Sequence, residues 1–275
     1  MHNLEVNVGP DVLRWVIESA LAPPVDDVLL DHDDDLIAAT TWSDVGYSVE
    51  PFLPPELGRQ FRAGIRDLVV ADLESIGVEV PDGFTLDRYH EVVTTDEQHL
   101  EFVGIRRGFY PMELLPVPLE IVESRLSEIL GVPVRRLDID LMPPSFAVRV
   151  VRPRSRDNSP PHRDVWLSWL RHTVGSYIPI AGHSDRASLP VLPGSHRWPE
   201  SATWRTEGNA LVDGTQHGVP VLAGAPTEIN MIRPEIGPDE LLVFSAYAIH
   251  GGARNLQDDA TRVSCEIRVM RDDRV

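Results

Sequence analysis

The chain has 275 residues, enough for one domain with a large buried core, and all 25 of its basic residues are arginine. The formal net charge of −18 predicts that the protein binds neither nucleic acid nor anionic membrane surfaces, and it favours a neutral or cationic small-molecule partner. No apolar run approaches the roughly 18 residues of a membrane-spanning helix, and no signal peptide is recognisable, so we expect a cytoplasmic protein.

Helical periodicity dominates residues 1–140. The spacing i, i+3, i+4 predicts a first amphipathic helix through Leu13, Val16, Ile17, Ala20 and Leu21. A second predicted helix begins at the two prolines of the segment PPE and runs towards Gly77, and a third, LEIVESRLSEILG, ends at Gly131. Proline at the start and glycine at the end match the known preferences of helix termini. We therefore predict a mainly helical N-terminal support.

Short apolar runs separated by proline and glycine replace this pattern over residues 141–275. The runs are FAVRVV, GSYIPI, LPVLPG, VPVLAG, INMIRP, ELLVFSAYAI and TRVSCEIRVM. Many short strands at such spacing are typical of a sandwich or barrel, and helices followed by strands favour helices packed on one sheet of a double β layer. We predict a single-domain, mainly β protein, a jelly roll with supporting N-terminal helices. The only cysteine, Cys265, is expected to be a buried apolar residue of the last strand.

A metal-ligand pattern lies in the segment SPPHRDVWLSW. His162 and Asp164 are two residues apart, so on a strand their side chains share a face. His250, at the end of the run ELLVFSAYAIH, is the candidate third ligand. Two imidazoles and one carboxylate form a facial triad that leaves positions on iron open for a co-substrate and O₂. The sequence therefore predicts a metal centre at these three residues.

The last predicted strand carries a candidate anion site. Alternation places Arg262, Ser264, Glu266 and Arg268 on one face of TRVSCEIRVM. An arginine fork beside a hydroxyl can bind a carboxylate through two hydrogen bonds. A 2-oxoglutarate molecule that binds iron through its keto-acid end needs such an anchor for its other carboxylate, and we assign this role to Arg262 and Ser264.

The order of four features resembles that in the iron(II)/2-oxoglutarate oxygenases: HRD comes first, then PGSH, then a distal histidine and finally RVS. The segments LPVLPGSHRW and HGGARNLQDDATRVS are similar, more narrowly, to the phytanoyl-CoA dioxygenase-like group. The resemblance implies a double-stranded β-helix, Fe(II) bound by His162, Asp164 and His250, 2-oxoglutarate held by Arg262 and Ser264, and O₂ as oxidant. Related halogenases carry a small residue at the position of Asp164, so its presence implies hydroxylation or a related oxidation of an unactivated C–H bond.

The resemblance covers residues 145–270, whereas the N-terminal half matches only in being helical. It implies that the segment TTDEQHLEFVGIRRGFY forms a substrate lid, and it allows a role in natural-product biosynthesis.

Three further residues are candidates for contact with the substrate. Trp166 shares the alternation of His162 and Asp164, so it either faces the cavity or packs in the barrel. His99, at the end of the stretch EVVTTDEQH and within the lid segment, can line the mouth of the site or serve as a satisfied polar residue. Arg149, in FAVRVV, can reach the co-substrate or the substrate from a neighbouring strand, and a surface salt bridge is the alternative.

Two other functions remain open from the sequence. A cupin-like metal enzyme that does not use 2-oxoglutarate would leave Arg262 and Ser264 without a role. A non-catalytic jelly-roll binding module would need neither an open metal triad nor a separate carboxylate anchor. Succinate production from 2-oxoglutarate distinguishes the oxygenase from both.

Overall fold

The computed structural model describes residues 1–23, 35–140, 143–155 and 159–273. The helices are α1 (Pro55–Ser75), α2 (Tyr89–Val92), α3 (Asp96–Arg106) and α4 (Leu119–Leu130). The strands are β1 (His2–Val8), β2 (Asp11–Ile17), β3 (Tyr47–Pro51), β4 (Phe109–Pro111), β5 (Val134–Arg136), β6 (Ser145–Val151), β7 (Thr173–Ala181), β8 (Trp204–Arg205), β9 (Ala210–Val212), β10 (Thr215–His217), β11 (Leu222–Gly224), β12 (Asn230–Met231), β13 (Glu240–Ser245), β14 (Arg262–Glu266) and β15 (Arg268–Arg271).

The larger sheet has the strand order β3-β13-β7-β14-β6-β4, and β15 joins it by pairing with β7 and β5. Helices α1 and α4 cover its outer face, where residues such as Ile65 and Leu126 share a core with Val148, Val174 and Cys265. Because alternate residues of a strand point to opposite faces, the other set on β6, β7 and β14 faces the interior of the β fold. The prediction of helices packed on one sheet is confirmed, as is the burial of the cysteine.

The second sheet has the order β10-β9-β2-β1-β12. Isolated antiparallel bridges extend this sheet beyond β12. Ile232 pairs with Val191, Val191 pairs with His250, and His250 pairs with His162. The larger sheet meets this layer where the Phe244 ring of β13 lies 4.4 Å from the His250 ring. Two antiparallel layers around a shared interior confirm the predicted mainly β jelly-roll class.

Helices α1 and α4 confirm the second and third predicted helices. Helix α1 follows Pro54 and has proline at its first position, where the missing N–H has no partner within the helix to lose. Helix α4 ends at Gly131, which has φ +69°. Glycine adopts this left-handed conformation without steric cost, so it ends the helix. Among the described residues, none of the helices combines the length and the apolar character required to cross a bilayer.

The first predicted helix is wrong, because this segment forms strand β2. Leu13, Trp15 and Ile17 are buried, whereas Val16 between them is exposed, which is the two-residue period of a strand. Strand β2 pairs antiparallel with β1 along its whole length, and Gly9, with φ +57°, lies in the connecting turn. Leu13 and Ile17 fit the period of a helix as well as that of a strand. Only the alternation of apolar and polar residues across both β1 and β2 distinguishes a β-hairpin from a helix.

Candidate metal and co-substrate site

The three predicted metal ligands lie on two neighbouring segments. The backbone N–H of His162 donates to the carbonyl of His250 at 2.9 Å, and the reverse bond measures 3.0 Å. Asp164 begins a short 3-10 helix that ends at Trp166. The strand predicted through this segment therefore does not continue past the metal motif, and the alternation argument does not extend to Trp166.

The ligand atoms of His162, Asp164 and His250 all lie within 4.8 Å of one another. Oδ1 of Asp164 is 3.7 Å from Nε2 of His162 and 3.8 Å from Nε2 of His250. The exposed fractions are 9%, 3% and 4% for His162, Asp164 and His250. Two imidazole nitrogens and one carboxylate oxygen thus converge on one point, as the sequence predicts.

Backbone carbonyls fix the orientation of both imidazoles. Nδ1 of His162 lies 2.8 Å from the carbonyl oxygen of Pro160, and Nδ1 of His250 lies 3.0 Å from that of Ala248. A carbonyl only accepts hydrogen bonds, so each Nδ1 carries a proton, and Nε2 is the nitrogen whose lone pair can bind a metal. Burial and the neighbouring His250 lower the pKa of His162 to about 4, which maintains the neutral form that binds metals.

Neighbouring residues constrain the position of the chain at the distal histidine, His250. Gly251 has φ +100°, and a Cβ there would lie 2.9 Å from the carbonyl oxygen of Pro160 and 3.0 Å from Nδ1 of His162. Ser195 of the PGSH turn accepts a hydrogen bond from the N–H of Ile249 at 2.8 Å. The turn that carries the family resemblance thus positions the chain next to His250.

Asp164 pairs with an arginine that the sequence reasoning did not include in the site. Nε and Nη2 of Arg268 donate to Oδ2 at 3.1 Å and 3.0 Å, and Nη2 also lies 3.0 Å from Oδ1. Burial raises the pKa of Asp164, but Arg268 and the two histidines outweigh it and lower the pKa to about 2. The alternation that places Arg268 on the face of Arg262 was the signal from which it could have been found.

The predicted carboxylate anchor lies on the inner face of β14. Arg262 is 3% exposed, and its Nη1 donates to Oγ of Ser264 at 2.7 Å. Its Nη2 donates to the carbonyl of Ala253, and within the described part of the chain its buried Nε has no hydrogen-bond partner. A buried guanidinium with an unused N–H is a group that an anion can complete.

Two further groups set the charge at this end of the interior, because at neutral pH Arg233 is positive and His183 is neutral. Burial and the charge of Arg262 lower the pKa of Arg233 to about 10. Burial and both arginines lower the pKa of His183 to about 4. The Tyr177 hydroxyl lies 3.2 Å from Nδ1 of His183, and the Arg262 guanidinium lies over the Tyr177 ring. The local charge favours a bound carboxylate.

Arg149 lies on the same inner face, directly opposite Ser264 in the pairing of β6 and β14. Its Nε is 3.4 Å from Oε2 of Glu266, and its guanidinium lies over the ring of Phe109. With 36% of its side chain exposed, Arg149 reaches from the interior towards solvent. This position is compatible with the predicted contact to substrate or co-substrate.

The other two substrate candidates lie in packed regions. Trp166 is part of the core of the second sheet, and its indole N–H donates to Glu200 at 3.1 Å. His99 is buried on α3, with Nδ1 3.0 Å from the hydroxyl of Tyr89. The structure therefore brings Arg149, but not Trp166, to the inner face of the larger sheet, and it places His99 in the helical layer.

No protein-family model matches the sequence, and no curated protein matches it. Solved structures with a similar fold include AviO1 from Streptomyces viridochromogenes Tue57, at 17% identity and a TM-score of 0.45 over 84% of this chain and 91% of that one. EctD from S. alaskensis matches at 13% identity and a TM-score of 0.47, over 94% of this chain and 84% of that one. The non-heme alpha-ketoglutarate-dependent epimerase SnoN from nogalamycin biosynthesis matches at 13% identity and a TM-score of 0.43, over 85% and 80% of the two chains.

These identities and TM-scores are low, so the assignment of the site rests on its own geometry. The narrower resemblance to the phytanoyl-CoA dioxygenase-like group stays a prediction.

Proposed function

We propose that this protein is an iron(II)- and 2-oxoglutarate-dependent oxygenase that oxidises an unactivated C–H bond of a small molecule, with O₂ as the oxidant. The observation that carries the proposal is the combination of a buried two-histidine, one-carboxylate cluster and a separate buried arginine with an unused N–H. A structural metal site needs no such second anion site, and a binding module needs no open metal triad.

The donor set fits ferrous iron. His162 and His250 direct Nε2 to the metal position because their Nδ1–H groups bind backbone carbonyls, and Asp164 is held ionised by Arg268. Three protein donors leave coordination positions free, which oxygen chemistry requires. When bound, iron would activate O₂ as the oxidant, while 2-oxoglutarate supplies two electrons and leaves as succinate and CO₂ and the substrate supplies the other two.

The protein groups bind and orient the reactants. Arg262 and Ser264 hold the carboxylate of 2-oxoglutarate that lies away from the metal, and the carbonyl of Ala253 fixes the arginine fork. Burial of both side chains keeps water from competing for these hydrogen bonds. The substrate then occupies the inner face between this anchor and the solvent-exposed edge at β6 and β4.

The substrate proposed here is a neutral or cationic small molecule. Glu266 is partly buried on the inner face beside Arg149 and Arg268, and although burial raises its pKa, the two arginines outweigh this effect and lower the pKa, so the carboxylate is ionised. An ionised carboxylate on the inner face can accept hydrogen bonds from an amine or hydroxyl, and Arg149 can bind an acceptor on the same molecule. Tailoring of a natural product is compatible with these groups.

Succinate formation tests the proposal. The metal-free protein is supplied with Fe(II), 2-oxoglutarate and air, and succinate is measured by mass spectrometry beside the His162→Ala and Arg262→Ala variants. We expect succinate from the native protein and loss of production in both variants. Iron binding without consumption of 2-oxoglutarate would favour the cupin-like metal enzyme, and absence of metal binding would favour the binding module.

A further inference from the structure

The two carboxylate oxygens of Asp164 have different surroundings. Oδ1 lies 3.7 Å and 3.8 Å from the Nε2 atoms of His162 and His250, on the side where the metal ligands converge. Oδ2 accepts hydrogen bonds from both Nε and Nη2 of Arg268, at 3.1 Å and 3.0 Å. Nη2 also lies 3.0 Å from Oδ1, so the guanidinium contacts both carboxylate oxygens but makes two of its three hydrogen bonds to Oδ2.

The backbone fixes Arg268 at this place. Its carbonyl accepts a hydrogen bond from the N–H of Leu137 at 2.9 Å, and it lies opposite Gly175 in the pairing of β15 with β7. At the break between β14 and β15, Oγ of Ser176 donates to the carbonyl of Ile267 at 2.7 Å and accepts from its N–H at 3.2 Å. The guanidinium is thus presented from a strand that is bonded on both sides of the break.

We propose that Arg268 is a positioning residue that leaves Asp164 only one oxygen for the metal ion. A carboxylate can bind a cation through one or both oxygens, and a second oxygen on iron would occupy a position that the co-substrate or O₂ needs. By holding Oδ2, Arg268 reserves that position. This inference rests on the proposed function and adds a residue to its site.

Two effects of Arg268 on metal binding oppose each other. Its positive charge repels a cation, whereas its hydrogen bonds hold Asp164 ionised and correctly oriented. The Asp164 side chain is only 3% exposed, so without Arg268 it would be a buried carboxylate without its arginine partner. Orientation therefore dominates, and loss of Arg268 weakens metal binding, as loss of groups that orient metal ligands does generally.

The test uses Mn(II), which binds such sites without reacting with O₂, and calorimetric titration of the metal-free protein. Arg268→Met removes the charge and the hydrogen bonds at similar length, and we expect the Kd for Mn(II) to rise about 10- to 100-fold. Arg268→Lys should recover part of the affinity. Arg62→Met is the matched control, because it removes one guanidinium that pairs with an aspartate, Asp239, outside the proposed site, and its Kd should equal that of the native protein.

A second titration tests the single-oxygen claim itself. With Mn(II) saturating, Arg268→Met should bind 2-oxoglutarate several-fold more weakly, because the freed oxygen competes with the keto-acid end for the ion. Glutarate lacks the keto group, so its Kd should change less than that of 2-oxoglutarate. Equal changes for the two ligands would overturn the claim.

The other outcomes are equally decisive. Native or tighter Mn(II) binding by Arg268→Met would show that Arg268 only balances charge, and an equal loss in Arg62→Met would show a nonspecific effect of removing an arginine charge. Urea unfolding of the metal-free variants shows which of them are folded. If Arg268→Met is not folded, the Mn(II) affinity of Arg268→Lys decides whether Arg268 positions Asp164. A native protein that binds no Mn(II) would instead refute the proposed function.

Discussion

Replacement of Arg262 by alanine removes the guanidinium that we assign to the far carboxylate of 2-oxoglutarate. The side chain is 3% exposed and contacts Ser264 and the carbonyl of Ala253, and its Nε has no partner among the described residues. The N–H groups that face a bound carboxylate would be lost together. We therefore expect a large loss of affinity for 2-oxoglutarate with little change in metal affinity.

The magnitude follows from the number of bonds. A hydrogen bond to a charged group contributes about 1.5–3 kcal/mol, and a carboxylate held by an arginine fork receives two. Their loss costs about 3–6 kcal/mol, which raises the Kd by about 10²- to 10⁴-fold. Arg262→Lys keeps the charge but not the fork, so it should lie between alanine and the native residue.

Calorimetric titration of 2-oxoglutarate into the Mn(II)-saturated protein measures this change directly. Arg14→Ala is a suitable control, because Arg14 is exposed on the N-terminal hairpin and pairs with Glu5 there. A Kd for Arg262→Ala within threefold of the native value would refute the co-substrate anchor, provided that the variant still binds Mn(II).

Three further changes test the site and its supports. His162→Ala should abolish high-affinity Mn(II) binding in a calorimetric titration, and native affinity would refute the ligand assignment. Glu200→Gln removes the charge that faces the fully buried Arg163, so urea unfolding should show a loss of about 3–5 kcal/mol, whereas Glu207→Gln at an exposed position should show little change. Gly182→Ala adds a Cβ at φ +61° that would lie 2.0 Å from the carbonyl oxygen of Thr261, so it should lower the Tm and weaken 2-oxoglutarate binding through displacement of the adjacent Arg262; an unchanged Tm would contradict this packing.

The cluster of His162, Asp164 and His250 was predictable because each is a chemically distinctive residue within a short motif. His162 and Asp164 are close in sequence, and His250 follows an apolar run that must be buried. The convergence of their atoms confirms the grouping. The predicted strand positions of these residues were only partly correct, because Asp164 lies on a 3-10 helix and β13 ends at Ser245, before His250.

Alternation along the last predicted strand identified the residues on the inner face of β14 and β15, but not all of their contacts. It placed Arg262, Ser264, Glu266 and Arg268 on one face, and the structure shows the first two bonded to each other. The same pattern could not show that Arg268 reaches Asp164, because that contact joins two segments distant in sequence. Partners across layers depend on the tertiary fold, and local periodicity contains no information on them.

In the N-terminal hairpin the predicted helix was wrong for a related reason, and for Trp166 the sequence left a cavity-facing and a packed position open. The burial of Leu13 and Ile17 fits both a helix and a strand, and the pairing with β1 decides between them. Trp166 followed the parity of a strand that the chain does not form, and its indole instead binds Glu200 in the core. In both segments tertiary contacts override the local pattern.

Fe(II) and 2-oxoglutarate added together to the metal-free protein, without oxygen, test the central claim most directly through the visible absorption spectrum. The account predicts a weak metal-to-ligand charge-transfer band in the green, because the keto-acid end of 2-oxoglutarate must bind the iron held by His162, Asp164 and His250. The band should be lost in Arg262→Ala at the same ligand concentration. Bound iron without such a band in the native protein would contradict the account.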